Sequence, residues 1–309
     1  MPTDDEKLDE HVANKGDGQG NVQVSFFEAD PDNQPPPPPN REPGKLKLAI
    51  LGNTVLSKTM KAAFNHRSNV VDVFDDVDAL IRWQPHVSMI CLDAEFRAND
   101  EPDDAQIVDA CKKIAQSTNS GICLKTTVPL TTLDRVIHSV PDQVRKKRLV
   151  YSPELSEKND VESMLRNKVR LLGGTEEASK SLARVYQNFS YVADSSFIQA
   201  GIYDVAYAKM AIVTYKALQQ TFVNQVHETV SETKGIMYPT VMSIFKKVEE
   251  NIDTVPTFIK AQAKDESVSY KKAKSYGGEY LNNDIRAYVS ETDKLPILEY
   301  CYNIKNLEE

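Results

Sequence analysis

From Ile202 to Thr233 the chain runs without Gly or Pro, and apolar side chains recur at Ala211, Tyr215, Leu218, Phe222, Val226 and Val230. Steps of four and three put these on one side of an α-helix. The pattern therefore predicts one long helix with a buried stripe, stopped at Lys234-Gly235. At 1.5 Å per residue it would reach about 45 Å, enough to bridge two parts of a chain or to pair with a copy of itself. Upstream the period changes. KLKLAILGN, NVVDVF, HVSMICLD, GICLKTTV, RLVYSPE and VRLLGG are short apolar runs closed by turn residues and read as six strands. Between them SKTMKAAFNH, DVDALIRW, PDDAQIVDACKKIAQST and LTTLDRVIHSV read as helices, the third starting behind Pro102 with acidic residues in its first turn.

Strands alternating with helices predict an α/β fold, a Rossmann-like doubly wound parallel sheet, over 45–198. After Gly174, TEEASKSLARVYQNFS reads as a helix and SYVADSS as one more strand. Residues 199–309 then supply the long central helix and an all-α region in which TVMSIFKKVEEN and LPILEYCYNIKN are helices, separated by the double-glycine loop SYGGEYLNND. Residues 1–44, with the proline run 35–39, offer little besides VSFF to bury. They read as a disordered Pro-rich tail in which VQVSFFEA is a candidate docking strand.

Acidic groups outnumber basic ones by 45 to 37, a net charge of −8 that disfavours nucleic acid as a partner. The run Arg145-Lys146-Lys147-Arg148 reads as a solvated turn before a strand. No apolar run approaches the roughly 18 to 20 residues that cross a bilayer, and the acidic start is unlike a signal peptide. The four cysteines, Cys91, Cys111, Cys123 and Cys301, form no CxxC, and two lie inside strand-like runs. Together these predict a cytoplasmic, reducing compartment and no metal.

A strand that ends in a glycine loop and opens a helix can seat a pyrophosphate on free backbone N–H groups. Here the loop is Gly52-Asn53-Thr54-Val55-Leu56-Ser57, with Thr54 and Ser57 where GxGxxG has its second and third glycines. A threonine Cβ at the second position obstructs close approach of the phosphates. Asp75, at the end of the second strand, is placed for a ribose diol or for a cap.

Four segments, taken in order, resemble the UDP-glucose/GDP-mannose dehydrogenase family. LKTTVPLTTLDRV is similar to its KSTVPxGT turn, and YSPELSEKNDVESMLRNKVRLLGG to NPEFLREGxAxxDxxxPxRxxxGG. DVAYAKMAIVTYKALQQTFVNQV resembles its central helix AExxKxxxNxxLAxKxxxxNE, and SYGGEYLNNDIRAY resembles GYGGxCxPKDxxAL. The resemblance implies NAD as cofactor, with Gly52, Thr54, Ser57, Asp75 and Thr127 toward it. It implies catalytic roles at Glu154, Lys209, Asn224 and Asp284, and a dimer through the central helix.

It also exposes departures. The family's nucleophilic cysteine falls on Tyr280, its loop lysine on Asn283, the helix asparagine on Val213 and the second glutamate of NPEFLREG on Lys158. VPTP after strand three is Leu92-Asp93-Ala94-Glu95, and little follows Asn303, where family members continue into a second α/β domain. A phenol at neutral pH does not replace a thiolate in forming a thiohemiacetal. The sequence therefore predicts a catalytically degenerate homodimeric scaffold with vestigial site residues and no cofactor, its tail free for a protein partner. The opposing expectation is an altered NAD-dependent nucleotide-sugar dehydrogenase, or a nucleotide sensor without turnover.

Overall fold

The computed structural model describes residues 25–27, 46–65, 69–93, 95–96, 102–155, 161–248, 279–288 and 296–306. Five strands form the parallel half of one sheet: β2 (Lys47–Leu51), β3 (Val70–Phe74), β4 (Val87–Ile90), β7 (Gly121–Leu124) and β8 (Leu149–Tyr151). β4, β7 and β8 are buried almost throughout, as strands covered on both faces must be. Helices α1 (Val55–Phe64), α2 (Val77–Trp83), α3 (Ala105–Ser117), α4 (Leu130–Ser139) and α5 (Asp142–Arg148) connect them. The basic run 145–148 is thus the last turn of α5 rather than an irregular turn.

The sheet continues through β9 (Val169–Gly173) and β10 (Ser196–Ala200) to β1 (Ser25–Phe27), giving the order β1-β10-β9-β8-β7-β4-β2-β3. It is not parallel throughout, as the sequence predicts. β9 lies antiparallel to β8, β10 parallel to β9, and β1 antiparallel to β10. Between β8 and β9 the described helix is α6 (Val161–Arg166), which packs on α1. α7 (Glu176–Phe189) then carries the chain back for β10, parallel to β9. Thr175 caps α7 by accepting from the Ala178 N–H, and Glu176 and Glu177 fill its first turn.

Other expectations shift. Tyr191–Asp194 is a turn, and the strand expected at SYVADSS starts at Ser196, where Phe197 enters the core. Pro102–Asp103 forms a small hairpin, as β6, with β5 (Glu95–Phe96), so α3 begins at Ala105 with no acidic residue in its first turn. Asp104 is instead buried, taking a hydrogen bond from the Thr132 hydroxyl and an ion pair from Arg135 at 2.5 Å. Within the expected tail, Ser25–Phe27, part of the candidate docking strand VQVSFFEA, pairs with β10 at the edge of the main sheet.

α8 (Ile202–Glu232) fulfils the long helix almost residue for residue, directly after Gly201 and β10. Its buried face matches the expected one only in part: Val230 is buried and Leu218 and Val226 pack against the core, but Ala211 is exposed. Ala206, Met210, Val213, Ala217, Thr221 and Asn224 are buried, whereas Tyr215 is 60% exposed and Phe222 46%. Both faces carry apolar residues, and contacts to β9, β8, α10 and α11 select one of them. α9 (Tyr238–Val248) folds back on the far end of α8, with Phe222 and Phe245 ring centroids 5.8 Å apart. α10 (Glu279–Tyr288) occupies part of the segment expected as a loop, and α11 (Pro296–Asn306) follows. Met210, Val213, Ala217, Ile285, Tyr288, Leu298 and Cys301 make their common core.

Candidate functional site

The loop after β2 is positioned by backbone alone. Gly52 adopts φ +111°, and its N–H donates to the Phe74 carbonyl at 2.8 Å. A Cβ there would lie 2.6 Å from the Cys91 carbonyl oxygen, so only glycine fits. Thr54 is the N-cap of α1 and forms a capping box with Ser57. The Ser57 N–H donates to Thr54 Oγ1 at 3.1 Å, and the Thr54 N–H donates to Ser57 Oγ at 3.3 Å. Thr54 Oγ1 spends its proton on the Cys91 carbonyl at 3.0 Å, which leaves the Ser57 hydroxyl as donor in their mutual contact at 3.1 Å. The result is a closed ring. Two of the N–H groups at this helix start, those of Thr54 and Ser57, are held by the chain's own hydroxyls, and Ser57 is fully buried.

The other residues expected toward a cofactor are less engaged. Asp75 is exposed just after β3. The capping role belongs to its neighbour Asp76, whose carboxylate accepts from the Ala79 and Asp78 N–H groups and is thereby held below its ordinary pKa. Thr127 is half-buried, while Thr126 ties the loop down by donating to the Leu92 carbonyl at 2.6 Å. The backbone of Glu95 lies in β5.

A second group of residues gathers at the ends of β7, β8 and β9 beneath α8. Glu154, Lys209 and Asp284, expected from the sequence, meet here. Lys209 Nζ donates to the Glu154 carbonyl at 2.8 Å and to Asp284 Oδ2 at 2.5 Å. The Glu154 carboxylate turns inward instead, with Lys125 Nζ at 3.4 Å from Oε2 and Arg170 Nη1 at 3.7 Å from Oε1. It also accepts the Leu155 N–H at 3.1 Å. All three side chains are at most 2% exposed. Burial alone would depress the Lys125 ammonium, yet the Tyr186 oxygen and Glu154 carboxylate outweigh it and the net shift is upward. Burial pushes the Tyr186 phenol up to about 12. Burial likewise raises the thiols, Cys111 and Cys123 to about 12, so neither is a nucleophile at neutral pH.

Lys125 and Arg170 were missed in the sequence. Each is a cation embedded in an apolar strand, GICLK and VRLLGG, and that placement was the available signal, because a buried charge demands a partner. Asn224 does not join the group. It sits fifteen positions beyond Lys209 on α8, about 22 Å along the helix axis. Val213, one turn from Lys209, is buried in the apolar core with Ile285 and Tyr288. Tyr280 lies one turn before Asp284 on α10; Lys158, Gly277 and Gly278 lie outside the described residues. Among the described residues no cluster of His, Cys, Asp and Glu could hold a metal ion.

Solved structures with this architecture include a UDP-glucose dehydrogenase from the archaeon Pyrobaculum islandicum. It superimposes with a TM-score of 0.66 at 13% identity, over 87% of this chain and 69% of that one. The fold is that of the nucleotide-sugar dehydrogenases. A UDP-D-ManNAc dehydrogenase from Pyrococcus horikoshii matches with a TM-score of 0.62 at 13% identity, over 85% of this chain and 69% of that one. The architecture extends to a 3-hydroxyisobutyrate dehydrogenase from Mycobacterium tuberculosis, TM-score 0.59 at 14% identity, over 84% of this chain and 92% of that one. No protein-family model and no curated protein sequence matches the chain. Within this fold, the Thr54 and Ser57 hydroxyls occupy two of the N–H donors at the start of α1. No helix among the described residues is long and apolar enough to cross a membrane.

Proposed function

We propose that this chain is a non-catalytic scaffold on a nucleotide-sugar dehydrogenase framework, assembled as a homodimer through α8. The observation that carries the reading is the Thr54–Ser57 ring, in which the protein's own hydroxyls hold two N–H groups at the start of α1. The Lys209 ammonium is likewise committed to Asp284 and the Glu154 carbonyl. The exposed ridge Tyr207, Tyr215 and Phe222 on α8 supports the dimer: a contiguous aromatic face along one helix suits a copy of the same helix. Light scattering coupled to size exclusion tests the assembly: wild type elutes as a dimer and Tyr215→Glu as a monomer of unchanged thermal stability. A monomeric wild type removes this part of the reading.

A second reading rests on a specific observation, the convergence of Glu154, Lys209 and Asp284 with Gly52 still in place. It makes the chain an altered NAD-linked oxidoreductase acting on a nucleotide sugar. The two readings part on one experiment, thermal unfolding with millimolar NAD, NADP or a UDP-sugar. A ligand at a hundred times its Kd adds about 2.7 kcal/mol, so the scaffold shows no shift and the enzyme a clear one. Stabilisation without an absorbance change at 340 nm marks a nucleotide sensor.

A further inference from the structure

The sheet has two edges, β3 and β1, and β1 arrives by an unusual route. It precedes β2 in sequence but lies six strand steps from it, about 29 Å at 4.8 Å per step. Residues 28–46 join the two strands, with a contour limit of roughly 60 Å whatever their conformation. The connection therefore has about twice the reach that its own edge requires. The ladder it supports is short: Ser25↔Gln199, Phe26↔Ile198 and Phe27↔Phe197. Three paired residues hold little by themselves. On the acceptor side, Gln199 is 8% exposed and its Oε1 has no hydrogen-bond partner among the described residues. The residue opposite it in the ladder is Ser25.

We propose that the outer edge of β10 is a strand-acceptor site whose occupant, Ser25–Phe27, exchanges between two copies of this chain. A free sheet edge is a template for another strand. The segment that fits this edge is encoded in every copy on a tether long enough to leave home. The exchange is separate from the α8 contact, since it needs only one chain's residues 25–27 on the other's β10.

Cross-linking in the full-length protein tests this, because all four native cysteines are buried and only introduced thiols react readily. A double variant Ser25→Cys/Gln199→Cys closes an intramolecular disulfide on oxidation. An equimolar mixture of the two single variants, incubated and then oxidised, yields a covalent dimer on a non-reducing gel, and adding Phe26→Pro lowers that yield at least tenfold. A mixture that stays monomeric while the double variant closes fixes the strand in its own chain and overturns the proposal. So does a covalent dimer insensitive to Phe26→Pro, which would be collisional. Hydrogen exchange gives a readout without cysteines: Phe26→Pro alone accelerates exchange at Ser196–Ala200 at least tenfold, and unchanged exchange removes β1 from this edge. An α8 dimer alters neither outcome.

Discussion

The mouth of the glycine loop and the charged group under α8 sit in one dehydrogenase-like fold, yet their polar groups are held in opposite ways. The loop has one glycine, and Thr54 and Ser57 hydroxyls bond its backbone. The charged group brings Glu154, Lys209 and Asp284 together with Lys125 and Arg170. Solvation separates the two. A half-exposed loop changes its hydrogen bonds at small cost, whereas removing one member of a buried ion cluster strands the others in a medium of low dielectric. Burial thus accounts for the Glu154–Lys125–Arg170 group through folding alone.

The largest expected effect falls on the charged group. Glu154→Gln leaves Lys125 and Arg170 buried without their counter-charge and costs about 3–5 kcal/mol by urea unfolding. A loss under about 1 kcal/mol would put the cluster in the same class as surface pairs and erase the contrast. Next comes Gly52→Ala, with a Cβ 2.6 Å from a backbone oxygen at positive φ; it destabilises by more than ~2 kcal/mol. Its control is Gly235→Ala, also at positive φ but with nothing within 4 Å, where only the left-handed backbone costs, about 1 kcal/mol. Thr54→Gly/Ser57→Gly loses the capping box, at a few tenths of a kcal/mol for glycine at the cap and about 1 kcal/mol for glycine inside the first turn, and sharpens the comparison further. If only the hydroxyl ring bars an anion, this variant gains NAD-dependent thermal stabilisation that wild type lacks.

One effect is confined to alkaline pH. Cys111, Cys123 and Tyr186 have ordinary values of 9.0, 9.0 and 10.0 and are raised to about 12 in the fold. The unfolded chain thus releases these protons first. Their contribution to stability is intact below pH 9 and is lost as pH rises toward 12, so the melting temperature falls across that window.

Gly52 and Lys209 show how far the sequence carried. A strand, a tight turn and a helix start are local, so β2, Gly52 and α1 were legible from spacing and turn chemistry. The uninterrupted run 202–232 specified α8 nearly to its ends for the same reason: intrahelical hydrogen bonds need only neighbours along the chain. Lys209, Glu154 and Asp284 were legible as candidates through motif resemblance, not through geometry. Which face of α8 is buried, which way β9 runs, that Glu154 turns toward Lys125 and Arg170 and not toward Lys209, and that Phe26 pairs with Ile198 were decided by tertiary structure. Each joins residues distant in sequence, and both faces of a helix or either sense of a strand satisfy the local rules equally. Burial against a particular neighbour, and the need of a buried charge for its counter-ion, break that degeneracy.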